Sequence, residues 1–211
     1  RASGGEGEMD TQTGYRGKSV TLKENAFTNE DYIFTGWNTQ RDGTGQSYTD
    51  KVTVNGNLLK NTDSPSIGND SDMWWFSGGE VVDISEPPVE GISKGFYTDK
   101  SGTVASTFLL TLRDKKTYTL SAYVKGNGSV RIYAADYNTT YGDKTVSNLN
   151  DSEWKRVSLT FTCGSKANAG VDVGFHPSQG MTICGMKLEE GDTATPWIKD
   201  GSSGKLNLFA Q

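Results

Sequence analysis

A chain of 211 residues with only 33% hydrophobic residues, 26 glycines, nine tyrosines and five tryptophans suits pleated, half-exposed surfaces joined by tight turns. Its net charge of −5, with no block of five like charges, excludes the basic face that phosphate contacts need, so no nucleic acid is expected as a partner. No apolar run approaches the ~20 residues of a membrane helix, and no window keeps an i, i+3, i+4, i+7 apolar stripe; the fold class is all-β.

The opening residues RASGG lack an initiator methionine and read as a cut start, with no signal peptide visible. Residues 1–53 then form a small unit. "SVTLKENAF" alternates Val20 and Leu22 before Phe27, and "YIFTGWNTQRDGTGQSYTD" sets an aromatic strand ahead of an Asp-Gly turn. Tyr32, Phe34 and Trp37 supply a very small core, with Tyr48 closing it. Such a piece is marginal alone and calls for a neighbour.

Residues 54–200 carry strands at steady intervals. "EVVDI" (80–84), "TFLLTL" (107–112), "TYTLSAYV" (117–124), "GSVRIYAA" (128–135), "KRVSLTFTC" (155–163), "GVDVGF" (170–175) and "MTICGMKL" (181–188) are separated by turn-rich segments such as "NTTYGD" and "NLNDSEW". Seven or more short antiparallel strands predict a β-sandwich, of which the jelly roll is one form. Tyr118, Leu120, Ala122 and Val124 face the core from one strand; Val130, Ile132 and Ala134 do so from the next. Cys163 and Cys184 read as buried thiols, with a single cross-strand disulfide as the alternative. Residues 201–211 read as a linker, "GSSGK", followed by the start of another module, because "LNLFAQ" echoes "GNLLKN" at 56–61.

Two resemblances sharpen this outline. "TLKENAFTNEDYIFTGWNTQRDGTGQSYTDKVTV" resembles the Listeria–Bacteroides repeat, the internalin-type B-repeat of β-grasp character, with its first strand truncated. The family's Arg-x-Gly-Tyr is Asn29-Glu30-Asp31-Tyr32 here. From residue 57 to 197, "NLLKNTD", "YTLSAYVKGNG", "EWKRVSLTFT" and "KLEEGDTATPW" resemble the carbohydrate-binding-module-like jelly rolls of phage tail and fibre proteins. That second likeness implies that Trp197 packs back on the sandwich edge and that Pro196 stops strand pairing there. Together they imply a virion surface, or else a secreted or bacterial cell-surface protein.

A sugar ring asks for an aromatic platform with a few polar groups at its rim. The candidates are Tyr123, Arg131, Tyr133, Asp172 and His176, with Trp74 or Trp75, and the loop tyrosines Tyr137 and Tyr141. If strands 117–124 and 128–135 pair as a hairpin, Tyr123, Arg131 and Tyr133 share one outward face. Adjacent tryptophans in an extended segment point opposite ways, so at most one of Trp74 and Trp75 is core. Each of these aromatics could equally be a cross-strand packing residue.

No catalytic residues are expected. A serine triad would have to use His176, the one histidine, and no Gly-x-Ser-x-Gly elbow surrounds a serine. No metal site is expected either. A structural Ca²⁺ needs about six to eight oxygens; Glu189, Glu190, Asp192 and Asp63 could contribute, but this acidic turn reads as solvated. The partners expected are a host cell-surface glycan or other virion subunits, and any homo-oligomer would form through sheet or loop surfaces, since no heptad is present.

Overall fold

The structure is a computed structural model and describes residues 6–13, 19–30, 33–51, 53–69, 73–106, 110–164, 170–199 and 208–211. The strands are β1 Val20–Thr21, β2 Trp37–Asn38, β3 Ser47–Tyr48, β4 Thr53–Val54, β5 Trp74–Asp83, β6 Lys94–Ser106 and β7 Thr117–Lys125. They continue with β8 Gly128–Ala135, β9 Thr140–Leu149, β10 Lys155–Thr162, β11 Asp172–Pro177, β12 Thr182–Glu190 and β13 Phe209–Ala210. Helices are absent among the described residues, as the missing apolar stripe predicts.

Eight strands form the sandwich, ordered β10-β7-β12-β6-β11-β8-β9, with β5 beside β6. The thirteen-residue β6 is the hinge of the two layers. Its first half pairs with β12 through Phe96 and Tyr97, and its second half pairs with β11 through Val104 and Ala105. The first layer is therefore β10-β7-β12-β6 and the second β6-β11-β8-β9. The β5–β6 ribbon crosses between them at a register shift beside Gly78, whose φ of 101° is open to glycine at no steric cost. The far edges also meet: Lys144 of β9 donates to the Ser158 carbonyl of β10 at 3.0 Å.

Between the layers lies one apolar core that includes Tyr118, Leu120, Ala122 and Val124 of β7, Val130, Ile132 and Ala134 of β8, and Phe96, Val104, Phe175 and Leu188. The alternation of β7 and β8 thus points inward as expected, but the two strands do not pair. β7 lies between β10 and β12, while β8 lies between β9 and β11. The β7–β8 turn carries the chain from one layer to the other, so their outward faces look in opposite directions.

Two strands escaped the sequence reading. β6 is interrupted by the turn-like "DKSG", and β9 covers Tyr141, Gly142 and Asp143, which read as turn residues. The strand expected at 107–112 is reduced to one bridge between Leu110 and Val171, with 107–109 outside the described residues. Both cysteines are free and buried: Cys163 in the inner core, Cys184 on the outer side of the first layer.

That outer side is covered by the chain's own tail. Trp197 is fully buried against Val89, Ile92, Tyr123 and Cys184. It rests on the sheet face over the bulge at Gly185, whose φ is 55°, and not at the sandwich edge. Beneath the tail, Lys187 donates to Thr195 Oγ1 and to the Pro196 carbonyl, each at 2.7 Å, and pairs with Glu189 at 3.2 Å. Both charged side chains are wholly buried, so Glu189 is no solvated turn acid.

In the N-terminal unit β1 pairs β4, and β2 pairs both β3 and β13. Trp37 packs edge-on against Phe27 and Phe34 and donates its indole N–H to Asp50 at 3.1 Å. Asn38 is buried and shapes the Asp-Gly turn by donating to the carbonyls of Gly43 and Gly45 at 3.0 Å. Tyr48 turns away from this core and toward the sandwich, and Tyr32 lies outside the described residues. Phe209 and Ala210, expected to open another module, instead pair with Asn38 and Trp37; the expected linker GSSGK, 201–205, lies outside the described residues.

Candidate functional site

The outer face of the second layer gathers five of the predicted residues. One row across the strands runs Trp75, Ala105, Gly174, Tyr133, Asp143, by backbone register. The adjacent row places His176 opposite Arg131, and Arg131 opposite Thr145. Asp172 stands two residues from Gly174 on the same side of β11, as strand alternation requires.

Tyr133 is the centre of the arrangement. Its ring lies over the backbone of Gly174, where a side chain would collide with it. Its hydroxyl donates to Asp172 Oδ2 at 3.0 Å, and its ring meets His176 at a centroid distance of 5.1 Å. Arg131 reaches over the same ring at 5.4 Å and forks onto Asp143, with Nε–Oδ1 at 2.9 Å and Nη2–Oδ2 at 2.7 Å. That guanidinium holds the Asp143 carboxyl below its ordinary range. Burial raises the Asp172 carboxyl, against the lowering effect of the Tyr133 hydroxyl.

Trp75 stands at the other end of the row with 47% of its surface exposed. By register Ala105 and Gly174 separate the two aromatics, and the Tyr133 ring itself covers Gly174. Beside it opens a cleft of about 320 Å³ lined by Ser77, Gly102, Thr103, His176, Pro177 and Ser178. His176 Nδ1 is 2.7 Å from Thr103 Oγ1, a contact that fixes the ring orientation. Burial lowers the His176 pKa, Arg131 lowers it further, and Asp143 opposes both.

The other candidates lie elsewhere. Tyr123 is buried on the opposite layer beneath Trp197, because β7 and β8 belong to different layers. Trp74 is core, 1% exposed, with its indole N–H donating to the Lys60 carbonyl at 3.1 Å. Tyr141 packs against the inner core and donates its hydroxyl to Asp136. Tyr137 is fully exposed in the β8–β9 turn, beyond Ala135 and so at the Asp172 end of the face.

Thr103, Asp143 and Gly174 were missed. Thr103 and Asp143 fall on the two unrecognised strands. Gly174 did carry a signal, since an isolated glycine within a strand marks a close approach.

The calcium candidates do not converge. Glu189 pairs Lys187, Glu190 pairs Lys116 at 3.0 Å, and Asp63 pairs Lys199 at 2.7 Å. Among the described residues no cluster of three or more His, Cys, Asp or Glu side chains could hold a metal ion.

Residues 1–59 match the Listeria-Bacteroides repeat domain, and residues 56–179 match the family described as Carbohydrate binding domain. No curated protein matches the chain. Among solved structures, a CBM4 module shares 15% identity, with 63% of this chain and 99% of that one covered and a TM-score of 0.48. A CBM61 module in complex with β-1,4-galactotriose shares 16%, covering 64% and 99% at a TM-score of 0.46. The enzymatically active domain of tailspike protein 4 from bacteriophage CBA120 shares 11%, covering 64% of this chain and 21% of that one at 0.48. Repeat and carbohydrate-binding domains of these kinds are typical of extracellular or surface proteins. The second family match spans more than half of the 211 residues, and the chain belongs to the Carbohydrate binding domain family.

Proposed function

We propose that the chain is a non-catalytic glycan-recognition module that attaches a virion surface to a host cell wall, and that the Trp75–Tyr133 face is where it binds. The observation that carries this is the row itself. An exposed Trp75 and a half-buried Tyr133, its ring seated on Gly174, stand in one row, with Arg131, Asp143, Asp172 and His176 grouped around the tyrosine. Aromatic faces stack on the C–H face of a sugar, and rim groups meet hydroxyls in the ring plane. Trp75 and Tyr133 stand three strand spacings apart, ~14 Å, so one sugar ring cannot touch both. The ligand is a glycan chain. The phage setting is supported by the motif series ending in "KLEEGDTATPW".

The test is binding of the intact chain to candidate host cells and to their extracted wall polysaccharides, beside Trp75→Ala and Tyr133→Ala variants. Saturable binding that weakens about tenfold or more in each variant is expected, the size of a loss at an aromatic hot spot. No binding by the folded chain across a broad panel would overturn the reading in favour of a spacer.

A further inference from the structure

The outer face of the first layer carries a junction that ligand binding at the aromatic face does not use. Arg156 of β10 stands at its centre. Nη1 donates to the Tyr48 hydroxyl at 3.1 Å and to the Ala194 carbonyl at 3.3 Å; Nη2 donates to Ser121 Oγ at 3.1 Å and to the Thr195 carbonyl. The guanidinium also lies 5.6 Å from the Tyr123 ring. One side chain therefore touches the N-terminal repeat, the tail and the sandwich.

Other contacts surround this one. Thr39 Oγ1 donates to the Pro88 carbonyl at 3.1 Å and Gln40 Nε2 to the Pro87 carbonyl at 2.8 Å, fastening the repeat to the β5–β6 connection. The Asn55 amide donates to Thr195 Oγ1 at 2.9 Å, just where the chain leaves the repeat. Beyond the tail, the chain returns and supplies β13 to the repeat's own sheet. Polypeptide thus crosses the junction twice, once after Val54 and once before Phe209.

Two modules joined by a single linker move relative to each other by default. Here separation would have to break the Arg156 contacts and strain the β13 pairing together, while the repeat alone is too small to be stable without its neighbours. We propose that the repeat and the sandwich are one rigid, cooperatively unfolding body, clamped by Arg156 and closed by the last strand. The repeat is then a fixed base on the layer opposite the aromatic face, not a flexible tether, whatever that face binds.

The intact chain tests this directly, by calorimetry and by backbone ¹⁵N relaxation. One transition with equal calorimetric and van't Hoff enthalpies, and one tumbling time for both modules, are expected. Two transitions, or faster tumbling of the repeat in the unaltered chain, would overturn the proposal. In Arg156→Met, and separately in a chain lacking residues 208–211, the repeat is expected to melt before the sandwich and to tumble faster than it. Tyr48→Phe, which removes one hydroxyl and leaves the packing, is expected to shift the same way by less. If Arg156→Met and the truncation both retain a single transition and shared tumbling, the clamp is not where we place it.

Discussion

A Cβ placed on Gly174 would stand 2.7 Å from the phenolic oxygen of Tyr133 and 2.7 Å from the carbonyl oxygen of Val104. Relief of the second clash requires a shift of the β6–β11 pairing, and relief of the first requires the tyrosine to move. Gly174→Ala is therefore expected to lift Tyr133 off the sheet and loosen its bond to Asp172. Stability should fall by about 1–3 kcal/mol, as for overpacked sites. Affinity for whichever wall polysaccharide the chain binds should fall about tenfold. Denaturant titration and calorimetric binding report the two effects separately. Unchanged affinity in a folded Gly174→Ala chain would show that Tyr133 does not need this seat.

Trp74 and Trp75 make an internal contrast. Trp74 fills the core against Phe96, while Trp75 points out with nearly half its surface exposed. Trp74→Ala should cost about 3–5 kcal/mol, as for other large aromatic deletions. Trp75→Ala should cost less than about 1 kcal/mol and act on binding instead. Urea midpoints of the two variants check this, and comparable losses would contradict the assignment of faces.

Periodicity made the core side of each recognised strand legible, because a one-residue slip would expose every apolar residue at once. What it left open was which strands are neighbours. Tyr123 and Tyr133 both alternate outward, yet they lie on opposite layers, since pairing depends on contacts far apart in sequence. Neither β6 nor β9 is legible, because glycine, aspartate and serine interrupt their alternation. Trp197, a structural residue by its sequence motif, is buried. Its seat on the sheet face lies over the Gly185 bulge, beside a tail bonded to the buried Lys187, and no local pattern announces either feature.

His176 gives a pH dependence with a definite sign. Its folded pKa lies below the unfolded value because burial and Arg131 disfavour the imidazolium, with Asp143 opposing. The unfolded chain then binds more protons just below the ordinary histidine range, so stability from this group falls as pH drops from about 6.5 through the folded pKa. The imidazolium would also change the hydrogen-bonding role of the ring toward Thr103. Stability measured from pH 7.5 to 5 should decline less steeply in His176→Gln than in the unaltered chain. Parallel curves would remove histidine from the account.

The buried pair under the tail responds at the opposite end of the scale. Burial pushes the Lys187 ammonium down to about 7, with Glu189 acting to raise it. Its folded pKa is thus below the unfolded lysine value, and the unfolded chain holds more protons between the two. Stability from this group should rise with pH from about 7 toward 9.5, below the range where tyrosines titrate. Removing one partner is worse than removing both. Lys187→Met leaves Glu189 buried without its cation and should cost about 3–5 kcal/mol, whereas Lys187→Met combined with Glu189→Leu should recover much of the loss. Urea denaturation of the single and double variants at pH 7 and 9 measures the coupling. Additive losses, with no recovery in the double variant, would mean that the tail is held by its carbonyl hydrogen bonds and not by the charge pair.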